Sequence, residues 1–159
     1  NIMKHLSLIL ISISLVLVSC GSSKQVMRNL DDTAFIQLET TPCFGYCPTY
    51  TMKLMATGEA SFDGKHYTKK AGQFVKQFSE AEVQQLFEQL MVLDPMNRPD
   101  VYDNEMVTDL PSNILTFGDG KTEKTIRCRF DIPDDMLDFI QSLRAAAEST
   151  TGWEAVSSK

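Results

Sequence analysis

The sequence predicts an α+β domain, a mainly antiparallel sheet of about five to six strands with two helices packed on one face. Three observations carry this expectation. Apolar and polar residues alternate in the first half, as in Tyr50, Met52, Leu54 and Ala56, and a period of two turns one strand face toward a core. Two later stretches space their apolar residues at three and four, the helical interval, from Val83 to Leu90 and from Met136 to Leu143. The order of elements is strand-rich, helix, hairpin, helix. That order argues for α+β rather than for strands and helices alternating around a parallel sheet.

The elements follow along the chain. Phe35 to Glu39 is a short strand and Thr49 to Ala56 a second. Gly58 turns the chain, and Ala60 and Phe62 continue the inward pattern. Asp63-Gly64 is a hairpin signal, because both residues tolerate positive φ, and it predicts strands at His66–Thr68 and Gln73–Phe78 beyond it. Ser79-Glu80-Ala81-Glu82 spells a capping box, in which the Ser hydroxyl and the Glu carboxylate satisfy orphan backbone donors. Phe78 and Val83 take the staple positions around it. The helix runs from Glu80 to Leu93 and ends at Asp94-Pro95.

Residues 94 to 112 read as an irregular acidic segment. Leu115–Phe117, the Gly118-Asp119-Gly120 turn and Thr125–Phe130 make a further hairpin. Pro133 opens the second helix, with Met136, Leu137, Ile140 and Leu143 inward, and Trp153 packs the chain end against the body. An Asp-Gly-Lys triplet precedes each helix, at Asp63–Lys65 and Asp119–Lys121, a faint sign of internal duplication.

Ahead of the domain, Lys4 and His5 precede an uncharged run from Leu6 to Ser19, closed by Leu17-Val18-Ser19-Cys20. This layout resembles a bacterial lipoprotein signal ending in a lipobox. The run falls short of the ~20 apolar residues of a membrane helix, although an uncleaved anchor helix is the competing reading. The resemblance implies cleavage before Cys20 and lipidation of Cys20, so that residues 1–19 are a signal peptide. Residues 20–34 are then a flexible tether reaching about 20 Å, 35–153 a single domain and 154–159 a C-terminal tail. Gly21, in place of an inner-membrane retention Asp, implies the outer membrane, periplasmic side. The membrane partner is reached through the lipid. With 21 acidic against 15 basic residues and a net charge of −6, nucleic acid is not an expected partner.

Cys43-Phe44-Gly45-Tyr46-Cys47-Pro48-Thr49-Tyr50 is the distinctive local sequence of the domain. An oxidising compartment permits a Cys43–Cys47 disulfide. Closing so short a loop contributes roughly 2 kcal/mol. Around it, Phe44, Tyr46 and Tyr50 offer aromatic anchors of low entropic cost, as binding hot spots do. The alternative is copper or thiol–disulfide chemistry. Cys-x-x-x-Cys-Pro resembles the motif of Sco-type copper assembly proteins, and thiolates select cuprous copper. Against it, that motif starts a helix, whereas Thr49–Ala56 reads as a strand, and His66 is the one histidine beyond the signal. Cys128 alternates with Ile126 and Phe130 and reads as a buried, inert thiol.

The same eight residues are similar to the signature of a family of exported bacterial proteins, many of them lipoproteins, with Cys-Phe-Gly-x-Cys-Pro-x-Tyr near the domain start. The resemblance continues through Gly58, Phe62-Asp63-Gly64 and Thr108-Asp109-Leu110-Pro111 and ends near Trp153. It brings no activity, cofactor or catalytic residue with it.

Three further clusters compete for attention. Asp100, Asp103, Asn104, Glu105 and Asp109 concentrate oxygen ligands, but without the EF-hand spacing they read as a solvated acidic loop rather than a calcium site. Glu39, Asp103 and Asp109 could serve a hydrolase only by meeting in space. Lys121, Lys124, Arg127 and Arg129 place cations on one hairpin. No nucleophile elbow, zinc motif or phosphate-cradling loop occurs. The sequence therefore reads as a tethered, non-enzymatic envelope domain that binds an envelope protein partner.

Overall fold

The computed structural model describes residues 30–157. The expected signal peptide, Cys20 and most of the expected tether lie outside the described residues.

The chain is α+β with two helices and a mostly antiparallel sheet, and the sheet has eight strands rather than five to six. They are β1 (Phe35–Thr40), β2 (Thr49–Met55), β3 (Glu59–His66), β4 (Gly72–Gln77), β5 (Val101–Tyr102), β6 (Asn113–Gly118), β7 (Glu123–Cys128) and β8 (Glu154–Ala155). Their spatial order is β5-β7-β6-β1-β2-β3-β4-β8, every pair antiparallel except β5 with β7. The strands missing from the expectation include β5 and β8, each two residues long. Two residues are too few to show an alternation.

Asp63-Gly64 is the second correction. It makes no turn: both residues sit inside β3, paired with Thr51 and Tyr50 on one side and Gln73 and Gly72 on the other. Gly58, at φ 88°, makes the β2–β3 turn, as expected. The β3–β4 connection comes later, where Tyr67 takes φ 56° and the Thr68 hydroxyl donates to the Lys70 carbonyl at 2.6 Å. The apparent duplication goes with it. Asp119 accepts from the backbone of Lys121 and Thr122 in a true turn, whereas Asp63 is mid-strand.

Helix α1 spans Glu80–Leu93 as expected, with the Ser79–Glu82 capping box formed in both directions. It buries Val83, Leu86, Phe87, Leu90 and Leu93 and stops where Asp94 turns left-handed at φ 50°. Helix α2 spans Asp134–Glu148 behind Pro133. Its buried row is Met136, Phe139, Ile140, Leu143 and Ala147. Leu137, expected inward, is half-buried. Phe139 takes that place because its ring packs on Phe117, centroid to centroid 6.1 Å.

These rows join Ile36, Leu38, Met52, Leu54, Phe62, Leu115 and Ile126 from the inward sheet face in one core. The opposite sheet face carries Gln37, Glu39, Lys53, Ser61, Asp63 and Arg127, none of them buried. An antiparallel sheet covered on one side shows this alternation. Among the described residues no helix is long and apolar enough to cross a membrane.

Candidate functional site

The cysteine loop, residues 41–48, joins two central neighbours of the sheet, β1 and β2. Its mouth is pinned from below. The buried Thr40 hydroxyl donates to the Pro48 carbonyl (2.8 Å) and accepts from the Tyr50 amide (3.0 Å). A second clasp is reciprocal: the Thr41 amide donates to the Ser112 carbonyl (3.0 Å), and the Ser112 amide donates to the Thr41 hydroxyl (2.8 Å). This clasp brings Thr108-Asp109-Leu110-Pro111 beside the cysteine motif, so two sequence tracts that looked unrelated share one end of the sheet. The Cys43–Cys47 disulfide, with Cα atoms 5.7 Å apart, closes the loop above the clasp.

The loop's aromatics divide. Phe44 is 94 % exposed and Tyr46 86 %. Tyr46 meets the ring of Tyr67 edge to face at 5.1 Å, and Tyr67 is exposed as well. The expected third anchor, Tyr50, is buried. Its hydroxyl donates to Glu148 Oε1 at 3.1 Å, and its ring lies 5.1 Å from that of Phe62. Burial, and secondarily the nearby Glu148 charge, push the Tyr50 hydroxyl well above the usual phenol range. Tyr50 is a core residue with one satisfied polar atom, and it presents nothing to a partner.

Beside Tyr50 lies a second buried polar side chain that sequence reasoning missed. Lys70 is 7 % exposed. Its Nζ donates to the carbonyls of Ala147 and Ser149, the former at 2.6 Å, and lies 4.5 Å over the Phe62 ring and 5.2 Å from that of Trp153. Desolvation pulls its pKa down, and the Glu148 carboxylate opposes that. An ammonium on the last carbonyls of α2 complements the negative end of the helix. Pro48, Tyr50, Tyr67, Lys70 and Glu148 line a cavity of about 80 Å³. The polar atoms of its buried members, the Tyr50 hydroxyl and Lys70 Nζ, are already partnered, so this cluster braces the loop from beneath.

The other sequence candidates resolve by pairing. Asp103 receives Arg129 Nε at 2.5 Å and Arg127 at 3.1 Å, and the Arg129 hydrogen bond holds its carboxyl below the usual range. Asp100 pairs with Lys124. The acidic segment and the basic hairpin, read separately in the sequence, are two halves of one contact. Asp109 is exposed at φ 65° and kinks the chain before β6. Among the described residues no group of three or more His, Cys, Asp and Glu side chains converges on a metal position. His66 is exposed opposite Thr49, where the β2–β3 register shifts. Cys128 is fully buried, and burial pushes its thiol up to about 11, which keeps it protonated and inert.

A family model described as a domain of unknown function, DUF6438, matches residues 34–147. The chain belongs to this family. The match takes in β1 to β7 and α1 and reaches almost to the end of α2, so the DUF6438 domain includes the cysteine loop and its Ser112 clasp. It stops before Trp153 and β8. No curated protein and no solved structure matches the chain.

Proposed function

We propose that this DUF6438 chain is a lipid-anchored binding module of the bacterial cell envelope, held by Cys20 on the periplasmic side of the outer membrane. It works without catalysis and engages an envelope protein through Phe44 and Tyr46. The observation that carries the binding half is the exposure of two large aromatics on a loop that is otherwise rigid. Exposed apolar side chains gathered in one patch, as Phe44, Tyr46 and Tyr67 are, mark interaction sites where scattered single ones do not. The disulfide, the Thr40 bonds and the Thr41–Ser112 clasp hold the backbone beneath them, so little entropy is lost when a partner orders the rings. The anchor half is supported by the lipobox-like Leu17-Val18-Ser19-Cys20.

Both halves are open to test in cells. Protein extracted from membranes is expected to begin at Cys20 and to carry the mass of its acyl groups; an intact residue 1–19 segment would remove the anchor. A photoreactive benzoylphenylalanine in place of Phe44 or Tyr46 is expected to trap a protein, and the same probe at the exposed Val92 of α1 to trap none. Phe44→Ser and Tyr46→Ser are expected to lose the partner while keeping stability within about 0.5 kcal/mol, the ordinary range for surface substitutions. Variants that unfold, or adducts indifferent to probe position, would assign the rings a structural role.

A further inference from the structure

The strand directions sort the molecular surface into two poles. β1 runs from Phe35 to Thr40, so Leu30 and Ala34 lie at one end of the sheet and the cysteine loop at the other. Six residues at ~3.4 Å each separate them by about 20 Å. At the cysteine-loop pole, three connections lie side by side in the strand order. Residues 103–112 lead from β5 to β6, the cysteine loop from β1 to β2, and residues 67–71 from β3 to β4.

The chemistry of this pole is graded across it. Phe44 and Tyr46 form its centre. On one flank the 103–112 connection exposes Met106 (90 %) beside Glu105 and Asp109. On the other flank Tyr67 is exposed beside Lys65 and Lys69. Among the described residues none of these four charges has an ion-pair partner. Other acids and bases of the same region do pair, as Asp103 does with Arg127 and Arg129.

An aromatic centre with acid on one side and base on the other is complementary to itself after a half-turn, as an isologous interface requires. We propose that the occupant of this pole is a second copy of the chain. The Phe44–Tyr46 centres of the two copies stack, and the Glu105–Asp109 flank of each meets the Lys65–Lys69 flank of the other. The aromatics supply the hold, and the charges set the orientation, which is the usual division at interfaces. An anionic lipid surface fits less well, since Glu105 and Asp109 would face like charge. This inference rests on the cysteine loop being a binding surface and names its partner.

The test is sedimentation equilibrium of the full chain in density-matched non-ionic detergent at low salt. Every sample carries the same N-terminal segment ahead of the domain, so differences between samples report on the pole. The wild type is expected to move from chain mass to twice chain mass as concentration rises. Glu105→Lys with Asp109→Lys makes both flanks basic; Lys65→Glu with Lys69→Glu makes both acidic. Each double variant alone is expected to dissociate at least tenfold more readily than the wild type. An equimolar mixture of the two is expected to pair again, and Tyr46→Ser to abolish pairing.

A wild type that stays at chain mass throughout overturns the proposal. So does pairing that ignores the charge reversals or Tyr46→Ser, which would place the contact elsewhere. The photoadduct at Tyr46 separates the two readings. An adduct with a different protein, alongside a wild type at chain mass, keeps the loop as a binding surface and removes the second copy. The absence of any adduct removes both.

Discussion

Gly64→Asn is expected to unfold the domain or to cost at least about 3 kcal/mol, the upper part of the range for overpacking a tight interior. The variant decides between two uses of one glycine. In a two-residue hairpin turn, Gly64 would need positive φ, and Asn supplies that almost as well. In β3 the glycine serves a close approach instead. A Cβ at this position would collide with the Lys70 backbone carbonyl, and it would also meet the Thr68 hydroxyl at 2.8 Å and the Phe62 ring at 2.9 Å. A backbone carbonyl in the tight β3–β4 connection, which also accepts from the Thr68 hydroxyl, cannot swing aside as a side chain can. Displacing it would also pull Lys70 away from the end of α2. Urea denaturation of the wild type and variant gives the difference directly. A variant within 1 kcal/mol of the wild type would return the turn to Asp63-Gly64.

The same position shows why some of this fold was legible in the sequence and some was not. Helix α1 was readable to the residue because everything that sets it lies within sixteen positions, Phe78 to Leu93: a capping box, a staple and an apolar row at helical spacing. Asp63-Gly64 carries an equally local signal, but a dipeptide states what the backbone tolerates there and not which neighbour crosses it. The crossing of Lys70 is a tertiary fact. β5 and β8 are set wholly by their partners, β7 and β4, and have no pattern of their own. At Tyr50 two sequence signals disagreed. Membership of the cysteine motif suggested a surface role, and alternation with Met52 and Leu54 put it inward. Alternation prevailed, because register binds a whole strand at once.

The candidate site was legible in the same uneven way. The Cys43–Cys47 loop and its two exposed rings follow from local sequence. Tyr67 and Met106 do not, since their exposure depends on which strand ends share a pole. Read separately, the acidic segment is a solvated loop and the basic hairpin a solvated sheet face. Only the parallel pairing of β5 with β7 shows that Asp100 and Asp103 exist to meet Lys124, Arg127 and Arg129.

Trp153→Ala is expected to cost about 3–5 kcal/mol, the range for removing a buried aromatic, although residue 153 lies beyond the stretch matched by the family model. The indole packs against Phe62 at 5.6 Å and Phe78 at 6.0 Å, its Nε1 donates to the Ala146 carbonyl at 3.4 Å, and Lys70 Nζ faces its ring. It therefore joins four elements: β3, the approach to α1, the end of α2 and the connection that carries Lys70. The residues after it are part of the sheet, with Phe74 and Val75 of β4 paired to Ala155 and Glu154 and the Val156 amide donating to the Gln73 carbonyl. They cover an edge that would otherwise offer unpaired backbone groups to other chains. Loss of the indole is expected to lower the melting temperature and to speed exchange of the β4 amides before those of β1. Trp153→Phe, which keeps the ring packing and gives up the hydrogen bond, is expected to recover most of the loss. Equal melting of Trp153→Ala and the wild type would mean that the core closes without the chain end, and the DUF6438 domain would then stop where the family match does.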